Sequence, residues 1–265
     1  MRRLRIQADA LASETNLLLD RVGVAAGWRC LDLGCGAGGI TDLLSRRVGH
    51  LGQVVGLDPD PVNLAAARAW AGPQGLDRVA FVQGDAFTPP LRGEAFDLVH
   101  VRYVMTTIGR HREVIEAALG LVRPGGWLAV QEADAAGLAC YPDHPAWTRL
   151  RAILLTAFAR VGADVFAGRQ VYRGLLEAGL EELGFRPCQA GARSTDPLAD
   201  FLPATVLSTK PVILREGLAT EAQLDDLVAQ CRRHLADPAT VHTSVIVIQA
   251  WGRKPGRSAR RPAPP

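Results

Sequence analysis

Cysteine is too sparse and too scattered in this chain to organise it. The 5 cysteines (Cys30, Cys35, Cys140, Cys188, Cys231) are odd in number and never spaced C-x-x-C, which argues against a disulfide framework or a structural zinc site. No apolar run approaches the about 18 residues of a membrane span. Gln7, Asp9 and Glu14 interrupt any signal-peptide core behind Arg2 and Arg3, so the default location is cytoplasmic. Neither charge sign dominates: 30 Lys and Arg stand against 27 Asp and Glu, a net +3. Basic residues do not cluster outside the C-terminal tail, so no nucleic-acid groove is expected. No internal repeat divides the chain. What is present is 265 residues with 48% hydrophobic content, enough for a sizeable core in one domain with an elaborated lid.

The strongest local signal lies at 30–39, CLDLGCGAGG. An apolar run carrying one acid, Asp32, breaks into glycines and then into a helix-compatible segment. A strand–glycine turn–helix unit places backbone N–H groups around a concavity at the strand's carboxyl end, where open α/β sheets bind nucleotide-like ligands. Gly34, Gly36 and Gly39 also spell the dinucleotide pattern, with Asp58 at about the right distance to hold a ribose. Asp32 decides between ligands. A pyrophosphate beside this loop would be repelled by its carboxylate, whereas an amine or sulfonium would be attracted. S-adenosylmethionine has both cations and no phosphate.

A leading helix is predicted over 4–22. Strands follow at 28–33, 53–57, 79–82 and 96–101, with helices at 40–48, 63–71 and 113–122, and a fifth strand begins at 127–131. This alternation implies a parallel sheet covered on both faces. Further on, helices are predicted at 145–161, 170–183 and 221–235, a short strand at 185–190, a mixed region at 199–215 and a long strand at 241–251. The helices after Asp134 are expected to fold over the carboxyl edge of the sheet. The plan is one domain over 1–252, with a core of 20–134 and 183–252 and lid insertions at about 135–182 and 199–236. A basic, proline-rich, disordered tail is expected over 253–265.

Four features stand in order: LDLGCGAGG, the acid in VVGLDPD, the acid in VQGDAF, and LVRPGGWLAV before the fifth strand. With them the chain resembles the class I S-adenosylmethionine-dependent methyltransferases, clearly over about 11–134 and more weakly beyond. The resemblance implies an α/β, Rossmann-like, seven-stranded sheet whose last strand is antiparallel, with a helical lid. It implies S-adenosylmethionine as cofactor and S-adenosylhomocysteine as product. Gly34, Cys35 and Gly36 would pass beside the methionine part, with Asp32 beneath its amino group; apart from the resemblance, Arg102 after the fourth strand is a candidate to approach its carboxylate. Asp58 would accept from the ribose hydroxyls, Pro59 would pack on the adenine, and Asp85 with the Ala86 N–H would meet the adenine edge. Plainer readings stand beside these: a strand-end Asp as a helix N-cap, Cys35 as a small lining residue, Arg102 as a brace for the following helix. FDLVHVRYVMTT looks like the small-molecule branch, in which FDLVHAR is often followed by an E-H pair. Here Thr106-Thr107 stand in that place, so no role of that histidine carries over. Only Glu132 and Asp134 come close together, so no metal is expected.

A base is needed only for an acceptor that must lose a proton. His100 is a candidate because imidazole titrates near neutral pH, and Tyr103 lies close in sequence; the plainer reading of His100 is a strand-end residue bonded to its neighbours. Glu132, Tyr141, His144, Arg169 and Tyr172 are candidates to touch the acceptor. The apolar lid favours a small, partly hydrophobic metabolite, as in natural-product tailoring, with O-methylation ahead of C- or N-methylation. Two other readings stay open: a cyclase or binding module that uses the cofactor without methyl transfer, and a protein or nucleic-acid methyltransferase. No membrane partner is expected, and a homodimer stays open.

Overall fold

Strands that read as near-continuous apolar runs must be covered on both faces, and the helices between them do this. The computed structural model describes residues 2–76 and 78–256, with side chains from Ile6 onward. The first half runs α1 (Arg2–Ala10), α2 (Ala12–Val22), β1 (Arg29–Leu33), α3 (Gly39–Val48), β2 (Gln53–Asp58), α4 (Pro61–Ala71), β3 (Val79–Gln83), β4 (Phe96–Arg102), α5 (Val104–Ile108), α6 (His111–Leu121) and β5 (Val122–Asp134). The second half adds β6 (Ala139–Tyr141), α7 (Pro145–Arg160), α8 (Gly168–Glu177), β7 (Glu181–Arg193), α9 (Phe201–Ser208), α10 (Lys210–Arg215), α11 (Glu221–Leu235) and β8 (Val241–Arg253). No helix among the described residues is long and apolar enough to cross a membrane.

The sheet order is β3-β2-β1-β4-β5-β8, parallel through β5, with β8 antiparallel. Along one side of β8, β5 pairs with 246–253 and β6 continues the same line against 241–243. β7 pairs with β8 from Arg193 to Glu181 and forms the other edge. The expected antiparallel last strand is therefore present, together with one short additional strand, β6. The expected strand at 185–190 is longer, because α8 stops early. Gly179 adopts φ +77° and donates its N–H to Leu176 O, a left-handed helix end that glycine permits cheaply. Residues 181–183, predicted as helix, thus begin β7.

One face of the sheet packs Leu31, Val99, Val101 and Leu128 against Val114, Ile115, Val171 and Leu175 of α6 and α8. The other packs Cys30, Val54, Leu98 and Ala129 against Leu18 and Leu19 of α2 and Leu44 of α3. A buried polar row crosses this second face: Asp32, His100, Gln131 and Gln249, with Asp32 level with His100 and Gln131 level with Gln249. The α2 helix meets the row through Thr15, whose hydroxyl donates to Gln131 Oε1 (3.2 Å), and through the Glu14 carbonyl, which accepts from Gln249 Nε2 (2.9 Å).

The leading helix and the start of the tail differ from expectation, and the lid gains detail. The leading helix is two helices, broken at Leu11. The lid helices α7, α9, α10 and α11 build a core of their own around Leu150, Leu202, Ile213, Leu224 and Cys231, with α9 touching α1. The tail does not begin at 253: Arg253 ends β8, and Lys254 donates from its backbone to Gly126 O and from Nζ to the Val122 and Leu119 carbonyls. A lysine among carbonyls at the end of α6 is favourably placed against the helix dipole. Residues 257–265 of the expected tail lie outside the described residues.

Candidate functional site

The carboxyl ends of β1, β2 and β4 surround a cavity of about 500 Å³. Its floor is the glycine turn. Gly34 and Cys35 donate their N–H groups to Leu57 O (2.8 and 2.9 Å), and Gly36 donates to Asp58 Oδ2 (2.9 Å), so the end of β2 holds the turn open. Asp58 Oδ1 accepts from the Asp60 N–H (3.0 Å) and from Asn63 Nδ2 (3.2 Å). Asp60 in turn caps α4 by accepting from the Val62 N–H (2.8 Å), with Pro61 at the first helical position, where its missing N–H costs nothing. Gly34 has φ +77°, and a Cβ there would fall inside the Val104 side chain. We expect Gly34→Ala to destabilise the protein by about 3 kcal/mol, from left-handed strain plus overpacking. Chemical unfolding checks this, and a wild-type midpoint would show that Val104 yields freely.

The polar lining is unbalanced. Asp32, Asp58, Asp60 and Asp85 line the cavity against one cation, Arg102. Among the described residues, two buried atoms of these lining side chains have no hydrogen-bond partner: Asp32 Oδ2 and Arg102 Nη1. Such atoms cost stability unless a ligand satisfies them. Burial lowers the Arg102 pKa, against which the Tyr103 phenol and Asp32 act. Burial, with Asp32 and Asp58 nearby, pushes the Cys35 thiol well up, so Cys35 is a compact wall and not a thiolate nucleophile. Asp85 Oδ1 accepts the Phe87 N–H (2.7 Å), which shapes the rim next to buried Ala86. Pro59 and Phe87 complete this end. At the opposite end, Gln7 and Ala8 of α1 cover the cavity beside Tyr103, Val104, Thr107 and Ile108.

All nine residues expected at the cofactor therefore line one cavity. The residues expected to act on the acceptor do not join them, except Tyr103. His100 is fully buried; Nε2 lies 2.9 Å from Gln131 Oε1 and Nδ1 lies 3.6 Å from Asp32 Oδ1. It is a member of the polar row and no base for a bound acceptor. Glu132 is also fully buried and accepts from the Met105 N–H, the Thr106 N–H (both 2.9 Å) and Thr106 Oγ1 (2.6 Å). It caps α5, a helix that the sequence reading missed. Burial pushes its pKa up to about 7, against those hydrogen bonds. Arg169 makes a bidentate pair with Asp134 (2.7 and 2.8 Å) and lies over Phe166, fixing the start of α8 to the end of β5. Tyr172 packs edge-on against Phe185. His144 caps α7 through Nδ1 and stacks on His234. Tyr141 is 73% exposed on β6. Tyr103 does line the cavity, in a left-handed conformation (φ 59°). Its phenol is pushed up by burial, with Arg102 and a hydrogen bond from Gln7 opposing.

Asn63, Gln7, Ala8 and Thr107 were missed. The position of Asn63 one turn into the helix after Asp58 was a usable signal, whereas nothing in sequence brings α1 to this cavity. Among the described residues, no group of three or more His, Cys, Asp or Glu could hold a metal ion.

A glycine turn at the carboxyl end of β1, an acid ending β2 and a sheet reversed only at its last strand define a Rossmann-like cofactor-binding fold. Residues 25–154 match the model of a methyltransferase domain. A trans-aconitate 2-methyltransferase of Delftia acidovorans is 30% identical over 225 residues, 79% of each chain. Another, of Methylobacterium radiotolerans, is 37% identical over 57% of this chain, and the match spans only 54% of that relative. A solved structure of a methyltransferase from Bacillus halodurans, 19% identical, superposes with a TM-score of 0.64 over 92% of this chain and 99% of its own. The chain belongs to the class I S-adenosylmethionine-dependent methyltransferases.

Proposed function

We propose that this protein transfers a methyl group from S-adenosylmethionine to a small, uncharged, partly apolar acceptor, with oxygen favoured as the atom methylated, as in the tailoring of natural products. The observation that carries the reading is the pair of opposite charges, Asp32 and Arg102, lining one cavity. An amino acid carries an ammonium and a carboxylate, and it satisfies both. In this reading Asp32 takes the ammonium and Arg102 the carboxylate, while Gly34, Cys35 and Gly36 pass beside the methionine chain. Asp58 takes the ribose hydroxyls, Asp85 and the Ala86 N–H the adenine edge, and Pro59 the adenine face. The acid-rich lining also attracts the sulfonium and disfavours a pyrophosphate.

The cofactor supplies a methyl already activated for in-line displacement, so the protein's work is alignment and exclusion of water. The cover of the methyl end consists of Gln7, Ala8, Tyr103, Val104, Thr107 and Ile108, none of them charged. Among the described residues that line the cavity Arg102 is the one cation, and in this reading the cofactor's own carboxylate occupies it, which disfavours a tricarboxylate such as trans-aconitate. An uncharged acceptor fits this wall. With His100 sealed in the sheet and the Tyr103 phenol held protonated, acceptors that give up their own proton, such as phenols, are favoured. The domain plan follows: one catalytic unit in which the regions 135–182 and 199–236 govern access.

The test is to incubate the protein with methyl-labelled S-adenosylmethionine and an extract of its host, and to look for labelled small molecules. Label in an apolar metabolite supports the reading, and label only in protein or nucleic acid overturns it. Cofactor binding with no labelled product favours use of the cofactor without transfer.

A further inference from the structure

The buried polar row contains a histidine that the chemistry above does not use. His100 has no exposed surface. Its Nε2 lies 2.9 Å from a carboxamide oxygen of Gln131, whose other oxygen contact is the Thr15 hydroxyl, while Gln131 Nε2 has no partner. Its Nδ1 faces Asp32 Oδ1 at 3.6 Å. The amide of Gln131 can be placed in either of two orientations. With its oxygen toward His100, Nε2 carries the ring proton and an Nδ1 lone pair faces the Asp32 carboxylate. With its nitrogen toward His100, Nε2 is the acceptor and the single ring proton sits on Nδ1. The second arrangement puts an N–H of His100 on the Asp32 side.

We infer that His100 is a positioning residue for the cofactor: its Nδ1 edge, 3.6 Å from Asp32 Oδ1, limits the orientations open to the carboxylate that lines the cavity and is to meet the ligand's ammonium. This rests on the reading of the cavity as the seat of the cofactor's amino acid. The Asp32 carboxylate has no hydrogen bond of its own among the described residues: Oδ2 is without a partner, and the 3.6 Å approach of His100 is its ion-pair contact. A carboxyl group at the end of two rotatable bonds needs such a partner to keep one orientation, and His100 is held in turn by Gln131 and, through it, by Thr15 of α2. The same chain that docks α2 on the sheet therefore sets the aim of the acid beneath the ligand.

The side-chain nitrogen of asparagine falls near the Nδ1 position of histidine, and that of glutamine near Nε2. H100N therefore keeps a donor toward Asp32, while H100Q keeps only the contact to Gln131. The probes are S-adenosylhomocysteine and methylthioadenosine, which retains the nucleoside and sulfur but lacks the amino acid. By calorimetry we expect H100Q to bind S-adenosylhomocysteine about tenfold or more weakly than wild type, the loss of one charge-assisted contact. Its affinity for methylthioadenosine should stay within about twofold, and H100N should bind both ligands within about threefold of wild type. H100M, which fills the space with no donor, gives the same comparison if H100Q does not fold. In a D32N background the effect of H100Q should vanish, because both act on one contact. Equal weakening of both ligands, or an H100Q that binds like wild type, overturns the inference. A wild-type protein that binds neither ligand overturns instead the cofactor reading on which it rests.

Discussion

Asp58→Ala should weaken S-adenosylmethionine binding about a hundredfold, because a carboxylate that accepts two ribose hydroxyls contributes about 1.5–3 kcal/mol per hydrogen bond. The same change should also cost stability. Asp58 also accepts from the Gly36 and Asp60 N–H groups and from Asn63, so alanine strands three donors at the junction of the glycine turn and α4. A stability loss of about 2 kcal/mol should accompany the loss of affinity. Asp58→Asn separates the two effects, since it keeps one acceptor oxygen, and its affinity should fall between those of alanine and wild type. Calorimetric titration together with chemical unfolding reads both quantities. An alanine variant with unchanged affinity would remove Asp58 from the cofactor site.

Glu132 makes the second large effect a matter of pH. Its ordinary pKa of 4.5 rises to about 7 in the folded protein, chiefly through burial. The folded state thus holds the proton more tightly than the unfolded chain. The associated stability is fully present below about pH 4.5 and is lost as the pH climbs toward 7. Across that window the loss amounts to about 3 kcal/mol. Glu132→Gln cannot titrate, although it leaves one donor at the start of α5 without an acceptor. The difference in unfolding free energy between wild type and the variant should therefore move by about 3 kcal/mol in favour of glutamine from pH 4.5 to pH 7. A difference that stays flat over that range would show that the carboxyl is not shifted.

The half of the molecule that surrounds the cavity was readable because each of its signals is local. A glycine that needs φ +77° at Gly34, an acid at the end of β2 and a proline opening α4 fix the backbone within a few residues of themselves. His100, Glu132 and Arg169 were misread for a common reason. Each is satisfied by a partner between 31 and 35 residues away or, for Glu132, by backbone donors 26 and 27 residues away, and no periodicity announces such pairings. A polar residue at a strand end looks the same in sequence whether it faces a ligand or closes a neighbouring helix. The break at Leu11 escaped for a related reason: the apolar stripe continues through it, while the turn depends on where α1 meets α3. Tyr141 shows the opposite case, an exposed aromatic side chain that stands away from the cavity at the ends of β1, β2 and β4.

Among the described residues no strand pairs with the outer side of the 13-residue β7, and an open strand edge invites addition of a strand from another molecule. Its sequence resists this. The pairing with β8 slips between Glu181 and Gly184 and again between Gln189 and Gly191, Pro187 in the middle has no N–H to offer, and Glu181, Glu182, Arg186 and Arg193 place charge along its length. Phe185, 51% exposed, has the aromatic ring of Tyr172 set edge-on against it. The edge that completes the sheet is thus also poorly suited to growing it, which guards folded copies of the chain against stacking edge to edge.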